Sequence, residues 1–233
     1  MGAIMRREFN AYFTSAIGYI FIAVFFFFSG MFFAQMFAAG YPDMSYLFSS
    51  LFSIVMFMVP ILTMRLMSED KKIKTDQALL TAPVNLAGVV LGKFFAAAAM
   101  FLVTISITIV QSLVMATMTT VAWNIVFCNF AGLFLAGCAM ISIGMFISSL
   151  TENQVIAAVG AFAAALALTF IDSLIPNIKI GFLKEFVTGA SFNDRYAAFQ
   201  YGILDFSNII FFISIIAIFV FLTVRTLEKK RWS

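Results

Sequence analysis

Residues 94–151 read FFAAAAMFLVTISITIVQSLVMATMTTVAWNIVFCNFAGLFLAGCAMISIGMFISSLT, without a single Asp, Glu, Lys or Arg. A bilayer core of ~30 Å takes about 20 apolar residues as a helix, so a run of roughly twice that length must cross, turn and cross back. Thr117, Thr119, Thr120, Trp123 and Asn124 supply the polar turn, with Trp123 suited to the interfacial belt. Backbone groups in lipid are satisfied only in helices or closed barrels. Continuous apolar runs of this length select helices, and the chain reads as an all-α integral membrane protein.

The rest of the chain agrees. Of 233 residues, 63% are apolar and 11% charged, with 31 phenylalanines, where a soluble domain has roughly 45–50% and about 25%. Uncharged runs at 16–39, 46–64, 94–122, 123–151, 153–171 and 206–224 predict six transmembrane helices in one transmembrane domain over 1–233, the third bounded by Lys93. Arg6 and Arg7 precede the first run, but its 24 residues exceed the ~7–15 of a signal-peptide core, so it is expected to be a retained span.

Several chemistries drop out. A net charge of +3 gives no basic footprint for nucleic acid. The chain has no histidine, which removes zinc-protease and Ser–His–Asp arrangements. Cys128 and Cys138 lie ten residues apart inside an apolar run and read as small packing residues. No catalytic constellation and no metal site is expected. Ionisable residues inside spans mark ion or proton pathways. None lies between the span ends, only Gln35, Gln111 and scattered Ser and Thr, which disfavours an ion-driven carrier and favours an apolar or amphipathic cargo.

Charge placement sets the orientation. With six spans, the amino terminus, the 65–93 connection, the 150–154 turn and the tail share one side. They hold Arg6, Arg7, Arg65, Lys71, Lys72, Lys74, Lys93, Arg225, Lys229, Lys230 and Arg231, against Lys179, Lys184 and Arg195 opposite. The positive-inside rule makes both termini cytoplasmic in a multi-pass plasma (inner) membrane protein.

Four segments are more than spans or turns. In residues 4–14, Met5, Phe9, Tyr12 and Phe13 form an apolar stripe with Arg6, Arg7 and Asn10 facing away, as in an interfacial helix, the alternative being a frayed extension of the first span. The 65–85 connection gathers Arg65, Glu69, Asp70, Lys71, Lys72, Lys74 and Asp76. After them come Gln77, Leu79, Leu80 and Val84, with Pro83 as a stop. A charged helix over 68–82 with an apolar tip, Leu79 and Leu80 anchoring and Glu69 to Lys72 as a polar rim, reads equally as a docking element or a solvated loop. In the turn Thr151-Glu152-Asn153-Gln154, Thr151 and Gln154 fit a capping box. In 172–207, Pro176 and Gly181 precede the apolar face Phe182, Leu183 and Phe186. Then Phe192, Tyr196, Phe199 and Ile203 recur at helical spacing behind Ser191 and Asp194. Two outer re-entrant helices fit, since the last apolar run is short. Phe199→Asp is expected there to cost transport but not assembly.

The 65–93 stretch resembles the first cytoplasmic loop of permease subunits of type-2 ABC transporters, especially their gliding-motility-like branch. The pattern there is an arginine, two acids, basic residues, Gly-Thr, an acid, Leu-Leu, Pro-Val and then Gly-Lys. Here these positions read Arg65, Glu69-Asp70, Lys71-Lys72, Lys74-Thr75, Gln77, Leu79-Leu80, Pro83-Val84 and Gly92-Lys93, with Lys74 replacing the glycine and Gln77 the acid. The turn Ser148 to Gln154 and the outer residues Ser191-Phe192, Arg195, Phe199, Gly202-Ile203 and Asp205 are similar to the same family, as is the tail ending Lys-Arg-Trp. The resemblance implies an exporter permease that forms half of a pathway with a second permease copy or similar subunit. It assigns 65–85 to coupling with two ABC ATPase subunits, and an extracytoplasmic accessory subunit is compatible. No GxxxxGK[ST] loop is present, so ATP and Mg are expected in the partner ATPase and this chain is expected to be no enzyme. A non-transporting polytopic scaffold or signalling anchor is the alternative from another class.

Overall fold

A computed structural model describes residues 2–40, 43–74, 85–174, 188–189 and 191–232. Among them the chain forms ten helices and no strand. They are α1 (Gly2–Thr14), α2 (Ala16–Ala38), α3 (Met44–Thr63), α4 (Ser68–Lys72), α5 (Leu86–Ile105), α6 (Ile107–Ala116), α7 (Trp123–Leu150), α8 (Gln154–Leu174), α9 (Phe192–Gln200) and α10 (Phe206–Trp232). Six stretches are long and apolar enough to cross a bilayer: α2, α3 continuing through α4, α5 with α6, α7, α8 and α10. The expected hairpin over 94–151 divides at residues 117–122, where the threonines sit.

Two boundaries differ from the sequence reading. Lys93 does not open the third span but is the eighth residue of α5, which starts behind Asn85, whose Oδ1 accepts from the Ala87 amide at 3.0 Å. The last helix runs 27 residues from Phe206, so the final span needs no outer helices to complete it. The third span is also interrupted at Ser106, between α5 and α6. Thr104 Oγ1 donates to the Met100 carbonyl at 2.9 Å and Ser106 Oγ to the Leu102 carbonyl at 2.7 Å, the local back-bonding that tilts a helix.

Helix α7 is the hub, in contact with α3, α5, α6, α8, α9 and α10. Lipid tails give no hydrophobic drive for helices to pair, so close packing must come from small residues. Helix α7 buries Gly132, Ala136, Gly137, Cys138, Ala139 and Gly144 toward its neighbours. Both cysteines are buried and free, as their apolar setting implied. Helices α2, α8 and α10 are mostly outward-facing, with Phe27, Val159 and Ile210 among their exposed side chains. Helix α1 lies across α5 and α2, burying Tyr12 while Arg6, Arg7 and Asn10 stay exposed. The apolar stripe therefore faces as its spacing predicts, but toward protein.

Contacts divide the two ends of the bundle. Glu8 of α1, Asp70 of α4, Lys93 of α5 and the end of α7 meet at one end. Glu152 and Lys230 approach there at 3.9 Å. At the other end Asp43, Thr120 and Ile125 line a common hollow. The four basic-rich segments thus share an end.

Candidate functional site

Helix α4 is short, but its side chains from Ser68 to Lys71 are all held. Arg65 Nε meets Glu69 Oε2 at 2.8 Å one turn apart. Lys71 is buried and its Nζ donates to the Ser149 carbonyl. That carbonyl belongs to the last turn of α7, where helix oxygens lack intrahelical partners and attract cations. Next to it, Ser148 Oγ accepts from the amides of Met67 and Ser68 at 3.1 and 3.0 Å and donates to the Met64 carbonyl at 3.0 Å. One hydroxyl uses its single donor and both lone pairs to fasten the α3–α4 corner to α7.

Asp70 turns the other way. Its Oδ2 is 2.8 Å from Lys93 Nζ, and Glu8 Oε1 is 3.2 Å from the same nitrogen. Lys93 is 2% exposed. A buried ammonium is tolerable only with charge and hydrogen-bond compensation, and two carboxylates from two different helices provide it. Arg7 closes on Glu8 at 2.6 Å from the exposed side. Burial alone would raise the Glu8 carboxyl, but the Lys93 ammonium and the Arg7 hydrogen bond outweigh it and hold the group below the usual range. A depressed carboxyl stabilises the fold fully above its unfolded pKa and loses that contribution as pH falls through its folded value. Tyr12 completes the junction: its hydroxyl donates to the Leu62 carbonyl at 3.3 Å, and the Arg65 guanidinium sits 5.9 Å from its ring centroid.

This changes the expected rim. Asp70 and Lys71 point into the protein and Glu69 pairs within its own turn, which leaves Lys72 exposed. The unbroken helix over 68–82 is also corrected, because α4 ends at Lys72 with Ile73 as its C-cap, and Lys74 has φ +57°. A left-handed position favours glycine, and a side chain there costs about 1–2 kcal/mol. Glycine is what the family pattern carries at this position. Lys74→Gly is therefore expected to raise the thermal midpoint, by roughly 1 kcal/mol of relieved strain. A lower midpoint would mean that the lysine side chain contributes more than the strain it imposes. Thr75, Gln77, Leu79, Leu80 and Pro83 lie outside the described residues.

The second turn is capped differently from the expected box. Asn153 Oδ1 accepts from the Val155 amide at 2.9 Å, and Thr151 Oγ1 accepts from the Asn153 amide at 3.1 Å. The helix begins at Gln154, which makes Asn153 its cap and leaves Thr151 one turn element too early. Glu152 is exposed and only loosely near Lys230, a pair of little weight.

At the opposite end, the first expected outer helix, with Pro176, Gly181, Phe182, Leu183 and Phe186, lies outside the described residues. The second is α9. Ser191 Oγ accepts from the Asp194 amide at 2.9 Å to start it, and Phe192, Tyr196 and Phe199 are all buried. Ile203 does not continue the face: it is 57% exposed, because Gly202 at φ +75° has ended the helix. The Tyr196 ring stacks on Phe52 at 4.2 Å. Its hydroxyl approaches the Phe48 carbonyl at 3.4 Å and Asn129 Oδ1 at 3.3 Å. Phe48 and Asn129 lie one to two turns into α3 and α7, so α9 reaches roughly 6–9 Å below their ends. Gly132 is what lets it in, since a Cβ there would stand 2.6 Å from Phe199 Cγ. The apolar face of α9 is thus packed on protein and not on lipid.

Arg195 donates to the Gly189 carbonyl at 3.3 Å, Ser207 Oγ at 3.2 Å and Asn208 Oδ1 at 3.1 Å, and lies over the Phe211 ring. Asp205 Oδ1 accepts from the Ser207 amide at 2.9 Å at the start of α10. Arg195 thus fastens α9 to the last span, and Asp205 caps that span. Met36, Phe37, Gly40, Met115, Met118 and Thr119 line an apolar cavity of about 200 Å³ between α2 and α6. Among the described residues no three His, Cys, Asp or Glu side chains converge as metal ligands do.

Sequence reading missed Glu8 and Asn129, and named Lys93 and Ser148 without the partners that they hold. A signal for Lys93 existed: Leu86 to Gly92 is apolar throughout, so the helix could have begun before the charge. Glu8 falls three residues after Met5 and four before Tyr12, on the apolar stripe itself. An acid on that face asks for a buried cation.

A family model described as ABC-2 family transporter protein matches residues 48–232, which take in the second span from its fifth residue and every later described span. No curated protein matches the chain.

Proposed function

This chain belongs to the ABC-2 transporter family, and from that premise we propose that it forms half of an export pathway driven by a separate ATPase. As a membrane permease component it is not itself an ATPase. In the proposal, two ABC ATPase subunits dock on the 65–85 segment and hold the ATP and Mg, and a second permease copy or similar subunit supplies the other half. The basic end, with both termini, faces the cytoplasm across a plasma membrane, following the charge bias. An apolar or amphipathic cargo suits an outer cavity whose lining includes three methionines. An extracytoplasmic accessory subunit is compatible with the exposed 201–206 turn.

The observation that carries this reading is the seating of α4. A loop that merely joins two spans needs no anchorage, whereas α4 is fastened to α5 by Asp70–Lys93 and to α7 by Lys71 and Ser148. Force arriving through residues 75–84 would therefore reach the spans. The test is purification of the tagged chain in mild detergent, with mass spectrometry of what accompanies it. An ABC ATPase is expected in stoichiometric amount. Its absence from an intact, membrane-extracted preparation would sink the reading.

A further inference from the structure

We propose that Lys93 is a positioning residue of the transport cycle, a buried relay that passes displacement of α4 to α5 and through Glu8 to α1. The proposal rests on the reading that an ATPase moves α4. Covalently, α1 is joined to α2, and α4 to α3 and the 75–84 segment, so no short stretch of chain links α1 to α4. The link is through space: Asp70 and Glu8 share one ammonium that is 2% exposed. Apolar contacts between α1 and α5 are non-directional and allow sliding. An ion clamp is not so permissive, because moving either carboxylate away separates it from its buried counter-charge and takes one of two hydrogen-bond acceptors from the ammonium. The three helices must then travel together or lose the clamp. The arrangement is also a series: Asp70 is the input, Lys93 the carrier on α5, and Glu8 the output to α1.

That order makes the relay testable without knowing the cargo. The experiment is hydrogen–deuterium exchange on the permease–ATPase complex in lipid nanodiscs, with and without trapping by ATP plus vanadate. Trapping is expected to change exchange in Gly2–Thr14 and in the first turns of α5 in the unaltered chain. Asp70→Asn, which leaves the neutral Glu8–Lys93 pair intact, should abolish both responses. Glu8→Gln should abolish the α1 response and keep that of α5. ATPase recovery should be equal in all three proteins. A persisting α1 response in Asp70→Asn, or an α5 response lost in Glu8→Gln, would overturn the relay. So would variants that raise α1 exchange equally in both nucleotide states, the mark of a merely structural clamp. Loss of ATPase from Asp70→Asn alone would assign Asp70 to docking and likewise refute it. An ATPase missing from the unaltered complex would instead refute the coupling reading on which the relay depends.

Discussion

Replacing Leu79 and Leu80 together by alanine is expected to strip the ATPase from the complex while the permease stays abundant in the membrane. Binding energy at protein interfaces concentrates in a few buried apolar anchors. In the 65–85 segment these two leucines are the adjacent large apolar pair beyond the charged residues. Losing both should weaken docking by about 2–4 kcal/mol, roughly 30- to 1,000-fold. The segment connects spans without being one, so insertion should be unaffected. The charges around it are not equivalent controls. Lys71 is buried against the end of α7, so Lys71→Ala should loosen α4 itself, whereas the exposed Lys72 should tolerate alanine with ATPase recovery unchanged. Recovery of the ATPase with tagged permease, beside permease abundance, is the measurement. Full recovery from the double variant would mean that residues 75–85 are a solvated connection and that the ATPase docks elsewhere.

The six spans were legible because their signal is additive: twenty apolar residues in a row leave few alternatives, and a hairpin over 94–151 follows from length alone. The interfacial stripe of α1 and the Ser191 cap of α9 were legible for a similar reason, since each is a local pattern with a helical period. What stayed hidden depends on partners distant in sequence. Lys93 looked like a span boundary because a lysine is normally excluded from lipid, and only Glu8 and Asp70 make it tolerable inside a helix. Asp70 and Lys71 looked like surface charge because their neighbours in the chain are charged, yet their partners are Lys93 and the Ser149 carbonyl. The stop at Ile203 was missed because periodicity carries no record of backbone handedness, and Gly202 at φ +75° breaks the helix before the pattern ends.

The periodicity of α9 sets Phe199 against packing or lipid, where Phe199→Asp is expected to silence transport in an assembled complex. Phe199 is instead fully buried, with its Cβ and Cγ over Gly132 and its ring near Tyr196 and Phe212. Truncating such a ring costs about 3–5 kcal/mol, and an aspartate adds the penalty of an unpaired buried carboxylate. Phe199→Asp is therefore expected to lose folded protein altogether, with little monodisperse permease after extraction and a thermal midpoint too low to resolve. Ile203→Asp, on the exposed side of the same turn, should leave the midpoint unchanged. The contact with Gly132 gives a sharper check. Gly132→Ala alone should destabilise by about 1–3 kcal/mol through overpacking, because the nearest atoms are the stem of Phe199 and cannot swing aside. Combined with Phe199→Ala, which opens the space a methyl would fill, the two changes should cost less than their sum, as contacting residues do. Strictly additive midpoints, or a stable Phe199→Asp protein, would show that α9 is not seated in the groove between α3, α7 and α10.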